Sequence, residues 1–229
     1  MDFLTPPEMR LTLRVLAKLL GYPSAELRAH LGELREALAA ERALGSARRA
    51  ELEALMESLA RTPALDVEAA YVELFDRGRS TSLHLFEHVH GDSRDRGPAM
   101  VDLLQTYAAA GLELDGRELP DHLCVLLEFA STQPPALARE FLGEMAHILQ
   151  AVFSALRERG SAYASPVAAV LELAGQKAEA VPVAADEPLD ASWAEPAAFD
   201  GCSTRGQAAP GQPQPVHIVR RAASQGVTA

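Results

Sequence analysis

The sequence predicts an all-α fold: a single-domain helical bundle of about seven to nine helices, followed by a poorly structured C-terminal tail. Three observations predict it. Aromatics make up only 5% of the 229 residues, and Ala and Leu dominate an apolar fraction of 48%; such a composition suits helices, whereas strands draw on Val, Ile, Thr and aromatics. Apolar residues recur at helical spacing between Ser, Gly and Pro punctuation. Alternating polar and apolar runs are missing, and so are Asn-Gly hairpin turns.

Thr5 before Pro6 and Pro7 reads as a helix start, a cap followed by prolines where no N–H is needed. Leu11, Val15 and Leu19 follow, widened by Leu16 and Leu20, until Gly21 and Pro23 close the helix. Ser24 caps a second helix through Leu27, Leu31, Leu34 and Leu38. Ser46 caps a third, with Leu52, Leu55, Met56 and Leu59 on one face, ended by Pro63. A fourth begins near Asp66 and carries Val67, Ala70, Tyr71 and Leu74, with Phe75 beside them. Asp76 to Ser80 is irregular, Leu83 to His88 forms a short helix, and Gly91 breaks it. Asp92 or Ser93 caps the next helix, whose Met100, Leu103, Leu104 and Tyr107 share a face. Pro120 takes the first turn of a helix with Leu123, Leu126, Leu127 and Ala130 inward. The longest helix runs from about Ala136 to Arg159, and a last one starts at Ser165-Pro166 and fades near Gly175.

The helical domain is placed at residues 1–180. Residues 181–229 are rich in Pro, Gly and Ala without periodicity and are read as a flexible tail. Leu189, Trp193 and Phe199 form an apolar island at 189–199, a candidate docking element.

The net charge of −11 argues against a nucleic-acid partner and favours encounter with basic segments. Two cysteines without CxxC spacing, Cys124 and Cys202, exclude a disulfide framework. No signal peptide or membrane-spanning stretch is read, so a cytoplasmic protein is expected.

Chemistry-bearing residues concentrate between Tyr71 and Leu123, where four of the seven histidines lie. His84, Glu87 and His88 spell H-x-x-E-H, a zinc-hydrolase pattern in which two histidines hold the metal and the glutamate acts as base. Gly91 ends that segment at once, so a hydrogen-bonded histidine cluster is the alternative. His90, Asp92, Arg94, Asp95 and Arg96 follow as a mixed-charge cluster at a helix start, suited to anchoring a loop or contacting a partner. Asp121 and His122 suggest an acid/base pair, yet no nucleophile is placed beside them. Peptide recognition fits them equally well.

These residues carry a resemblance. Y-V-x-x-F-D at Tyr71 to Asp76, Leu83-His84-Leu85, H-G-D-S-R-D-R-G-x-A-M at His90 to Met100, and E-x-P-D-H-L at Glu118 to Leu123 resemble the NarJ family. These are the delta-type chaperones of respiratory nitrate reductase, within the TorD-like redox-enzyme maturation proteins. W-x-E-P at Trp193 to Pro196 adds to the likeness. The resemblance implies a helical cytoplasmic chaperone with no cofactor of its own and no catalytic activity. Its partner would be the apo catalytic subunit of nitrate reductase, including that subunit's N-terminal segment. It would hold this client open for molybdenum cofactor insertion, delay its membrane attachment, and leave the finished complex. The expected state is a monomer or weak homodimer, not inserted in a membrane. The family's P-D-H box maps to Pro120, Asp121 and His122, implying client-peptide binding there, with Glu118 beside them. A groove for the peptide is expected with Tyr71, Phe75, Leu123 and Leu127 as its floor and Asp121 and His122 at its mouth. A zinc-dependent hydrolase and a general helical adaptor remain the alternatives.

Overall fold

The computed structural model describes residues 8–182 apart from positions 92 and 117. The expected helix start at Thr5 to Pro7, Asp92, and the island at 189–199 with its Trp193 lie outside the described residues. Among those described there are eleven α-helices and no strand. They are α1 (Arg10–Leu20), α2 (Ala25–Ala29), α3 (Leu31–Glu41), α4 (Ser46–Arg61), α5 (Ala64–Tyr71), α6 (Leu85–His90), α7 (Arg96–Ala109), α8 (Leu123–Ala130), α9 (Pro135–Glu144), α10 (Ala146–Glu158) and α11 (Ala164–Leu173). A π-helical turn, Val72–Asp76, continues α5, and a 3-10 turn, Arg79–Thr81, follows it.

The count exceeds the expected seven to nine because two expected helices are each broken once. His30 (φ −102°, ψ 8°) divides the second into α2 and α3, its Nδ1 lying 2.8 Å from the Glu26 carbonyl oxygen. Met145 (φ −96°, ψ 2°) divides the longest into α9 and α10. Gly143 weakens the helix just before that break by about 1 kcal/mol relative to alanine, and the Met145 N–H turns to the Leu142 carbonyl instead of continuing the α-helical ladder. Neither residue is a proline, so neither break is punctuated in the sequence.

Helix ends are satisfied partly from a distance. Ser24 caps α2 as expected, accepting from the Leu27 N–H at 3.2 Å. The start of α1 is served by Glu41 at the end of α3, whose carboxylate accepts from Leu11 N (2.9 Å) and Thr12 N (2.6 Å). Arg28 donates to the Leu59 carbonyl (2.9 Å) and the Thr62 carbonyl at the C-terminal end of α4.

α11 is the centre of the molecule. Val167, Ala168, Ala169, Val170 and Leu171 are all fully buried, so the helix is enclosed on every side. It packs against α1, α4, α9 and α10. Its alanines let those neighbours approach closely. α1 lies along α8 and α3, closing a core of leucines that includes Leu13, Leu16, Leu52, Leu126 and Leu149. Where α5 passes into the π turn, Tyr71 and Phe75 enter that core beside Tyr163, with ring centroids 4.7–5.9 Å apart. Gly78 then lets the chain turn tightly. A Cβ there would stand 2.5 Å from the Leu74 carbonyl oxygen.

Candidate functional site

The segment around α6 and the segment leading into α8 are joined by a two-residue antiparallel bridge between His84 and His122. Leu85 N donates to the Asp121 carbonyl (3.1 Å) and Leu123 N to the Leu83 carbonyl (2.8 Å). Pro120 and Asp121 therefore precede α8 and are not its first turn. His122 is the capping residue in extended conformation (φ −67°, ψ 129°), its Nδ1 accepting from Cys124 N at 3.3 Å. The Tyr107 hydroxyl donates to the Pro120 carbonyl at 2.7 Å, tying α7 to the same junction.

Asp121 is completely buried, against the expectation of a carboxylate at a groove mouth. Its Oδ2 accepts from Phe86 N (3.1 Å), so it caps α6 from across the bridge, where His84 itself makes no side-chain cap. Two basic side chains face it: His84 Nδ1 is 3.5 Å from Oδ1, and Arg96 Nη2 is 3.6 Å from Oδ2. These distances are charge contacts and not closed hydrogen bonds; His84 Nδ1, Asp121 Oδ1 and Arg96 Nε and Nη2 have no hydrogen-bond partner. Arg96 also meets Glu87 at 3.2 Å, and Glu87 accepts from the Ser82 hydroxyl at 2.7 Å. The result is one charge-paired lock across α6, α7 and the entrance to α8.

The two histidine rings, 4.9 Å apart, are pulled in opposite directions. The facing Asp121 carboxylate raises the His84 pKa above the ordinary histidine value, against the opposing effect of burial. Burial, and then the neighbouring His84, lowers that of His122. A raised folded-state pKa stabilises the fold below the unfolded value, and that contribution is lost as pH rises through the folded value. The stability lost in His84→Gln should therefore be larger at pH 5.5 than at pH 8. Urea unfolding at the two pH values checks this; equal losses would mean that folding leaves the His84 pKa unchanged. His122 works in the opposite sense, losing stability as pH falls below its unfolded value.

The H-x-x-E-H residues serve this junction. His84 precedes α6 and faces Asp121, Glu87 is held by Ser82 and Arg96, and His88 Nε2 lies 2.9 Å from the Ser82 carbonyl oxygen. Among the described residues, no group of three or more His, Cys, Asp or Glu side chains could hold a metal ion.

The expected groove floor is core. Tyr71 and Phe75 are 6% and 5% exposed, and Leu123 and Leu127 are fully buried. Tyr71 additionally donates its hydroxyl to the Leu20 carbonyl at 2.8 Å. These four shape the site from within, since close packing leaves no room for a peptide beside them. Glu118 and Arg94 are exposed, while His90, Arg96 and His122 are half-buried. His90 stands edge-on to Phe86 with ring centroids 5.8 Å apart.

Open space lies to either side of the junction. One cleft of about 770 Å³ runs between α1, α8 and the 112–118 connector, with Arg14, Lys18, Glu118 and Glu128 on its walls. A second, of about 690 Å³, lies between α6–α7 and α9–α10. Both reach Phe129, whose ring is packed between Tyr107 (4.7 Å) and Phe141 (4.9 Å). The sequence reading missed the second cleft, although a signal existed. Leu137, Ala138, Phe141, Leu142 and Met145 make an apolar stripe wider than one core-facing side of α9 needs.

Comparison with known proteins gives a consistent result. A family model described as nitrate reductase delta subunit matches residues 22–169. NarJ of Escherichia coli strain K12, named a nitrate reductase molybdenum cofactor assembly chaperone, is 45% identical over 193 residues, covering 80% of this chain and 82% of that protein. A Bacillus subtilis strain 168 protein assigned the same name is 31% identical over 157 residues, covering 69% of this chain and 84% of its own. A crystal structure from Archaeoglobus fulgidus, assigned as a redox enzyme maturation protein, shares the fold at TM-score 0.52 and 20% identity, covering 77% of this chain and 99% of that one. The family match spans the bridge, the Asp121 lock and the second cleft, and the chain belongs to the nitrate reductase delta subunit family.

Proposed function

We propose that the chain is a dedicated assembly chaperone for respiratory nitrate reductase and not a catalytic component. It binds the apo catalytic subunit, including its N-terminal segment, and holds it open for molybdenum cofactor insertion. It delays attachment to the membrane anchor and leaves once the complex is complete. The observation that carries the reading is 45% identity, over four-fifths of both chains, to a protein named for molybdenum cofactor assembly of nitrate reductase. The arrangement of the molecule supports it: an acidic surface, a rigid junction and two open clefts suit a protein that grips another chain. No helix of the described residues is long and apolar enough to cross a membrane. Of the residues expected to meet the client, we assign direct contact to Glu118, His90, Arg94 and Arg96. Pro120, Asp121, His122, Tyr71, Phe75, Leu123 and Leu127 hold the frame behind them.

The test is co-purification of the full chain with the host's catalytic subunit, produced in cells blocked in molybdenum cofactor synthesis and again in normal cells. Capture of the cofactor-free subunit, with little capture of the subunit from finished enzyme, is the expected result. Equal capture of both, or of neither, would overturn the reading.

A further inference from the structure

α7 is held from one side only. Leu103 and Tyr107 are its buried residues, and its closest helical neighbour is α6. On the outward side Gly97, Val101, Leu104 and Ala108 fall at i, i+4, i+7 and i+11, one continuous face of a helix. All four are exposed, Val101 by 51% and Leu104 by 41%. A Cβ added to Gly97 would meet none of the described residues within 4 Å, so that end of the face is open. Branched apolar side chains left in water along a helix face mark a contact surface.

Charge selects what covers it. The chain carries a net charge of −11, so two copies repel wherever their carboxylates are brought together. The second cleft is a poor meeting place for that reason, because Val89 and Leu137 stand there among Asp102, Glu140 and Glu144. The outward face of α7 carries no charge. The helix has two charged side chains, and both point elsewhere: Arg96 toward Asp121 and Glu87, Asp102 into the second cleft. Here a second acidic copy can approach without setting like charges against each other.

The order of residues along the face fits a two-fold axis. The midpoint between Val101 and Leu104 is also the midpoint between Gly97 and Ala108. Two α7 helices laid antiparallel about that point set Val101 against Leu104 twice at the centre, and Gly97 against Ala108 twice at the ends. The small end residues let the two backbones close on the branched central pair.

We infer that the outward face of α7 is a self-association surface, joining two copies of this chain through an antiparallel α7 pair. A helix of fourteen residues is about 21 Å long, and one such pair buries less than the roughly 1,200 Å² of a stable interface. The dimer is therefore weak and reversible, with a dissociation constant on the order of 100 µM. Arg96 at one end of α7 and the Tyr107 hydroxyl bond to Pro120 near the other keep the face turned outward. Neither the face nor its occupant depends on the function proposed above.

The test is sedimentation velocity of the full chain over a hundredfold concentration range around that value, under reducing conditions so that Cys124 and Cys202 cannot cross-link copies. Wild type should pass from monomer to dimer. Raising the salt from about 0.01 M to about 0.1 M shortens the screening length from about 30 Å to about 10 Å. Association should then strengthen severalfold, the opposite of a contact held by ion pairs. Val101→Arg and Leu104→Glu should each weaken it at least tenfold. Their equimolar mixture should regain wild-type association within about threefold. The axis sets the new arginine of one copy against the new glutamate of the other, while the unchanged Leu104 and Val101 still meet beside them. The control Leu137→Glu adds the same negative charge in the second cleft and should stay within twofold of wild type. All three positions are exposed, so circular dichroism and the melting temperature should be unchanged.

A wild-type chain that stays monomeric throughout would overturn the surface. Loss of apo-subunit capture by Leu104→Glu in that case would give the face to the client. A mixture as weak as its separate components would overturn the antiparallel pair. So would association weakened by added salt, or an equal loss with Leu137→Glu, which would reduce the effect to overall charge.

Discussion

Asp121→Ala is expected to lower the unfolding free energy by about 3 kcal/mol, toward the low end of what breaking a buried charge pair costs. Asp121 is completely enclosed, and its removal leaves Phe86 N without an acceptor and Arg96 and His84 without their facing charge. The low end applies because Arg96 and His84 keep some contact with water, their side chains being 24% and 30% exposed. For a domain of this size the loss corresponds to a melting temperature about 10 °C lower. Asp121→Asn keeps an acceptor for Phe86 N but not the charge, and should lose roughly half as much. Thermal unfolding followed by circular dichroism is the measurement. A midpoint for Asp121→Ala within about 2 °C of wild type would mean that the bridge hydrogen bonds alone hold α6 to α8. Hydrogen exchange should localise the damage, with α6 and α7 losing protection before α1, α10 and α11.

Leu126→Ala should cost about 2–5 kcal/mol. Leu126 is fully buried on α8, which packs along α1, and neighbouring leucines on both helices restrict collapse into the vacated space. The companion measurement is Leu137→Ser. That residue is half exposed on the wall of the second cleft, so its replacement should change stability by no more than about 0.5 kcal/mol. Urea unfolding compares the two under one set of conditions. A loss for Leu137→Ser approaching that of Leu126→Ala would show that Leu137 belongs to the core and that the second cleft is closed in solution. Leu126 itself does not titrate, so its loss should vary less with pH than that of His84→Gln.

The fold class was legible because Ala/Leu stripes and Ser, Gly and Pro punctuation act within a few residues of one another. Ser24 and Leu27 illustrate this, as cap and first donor of one helix. What depended on distant residues was not legible. The cap of α1 comes from Glu41, thirty residues away, and the helix breaks at His30 and Met145 carry no proline. The site was half visible. Its residues stood out as a cluster, and the structure does bring His84, Arg96, Asp121 and His122 together. Their direction was hidden, because an Asp after a Pro reads as a first-turn carboxylate facing water. The bridge from the next residue, His122, to His84, 38 positions earlier, turns it inward. The second cleft escaped for a different reason: Glu140 and Glu144 look like the ordinary wet face of a helix until α6 and α7 are set opposite them.

α11, enclosed on every side, has a consequence for how the protein is made. The element at the centre of the molecule is the last described helix in the chain, and α1, which packs on it, is the first. Synthesis proceeds at about 5–20 residues per second, so roughly ten to thirty seconds separate the emergence of α1 from that of α11. During that interval Leu13, Leu16, Leu19 and Leu20 have no completed core to enter. The newborn chain thus exposes a stripe of the kind that general folding helpers bind, and its own maturation waits on α11.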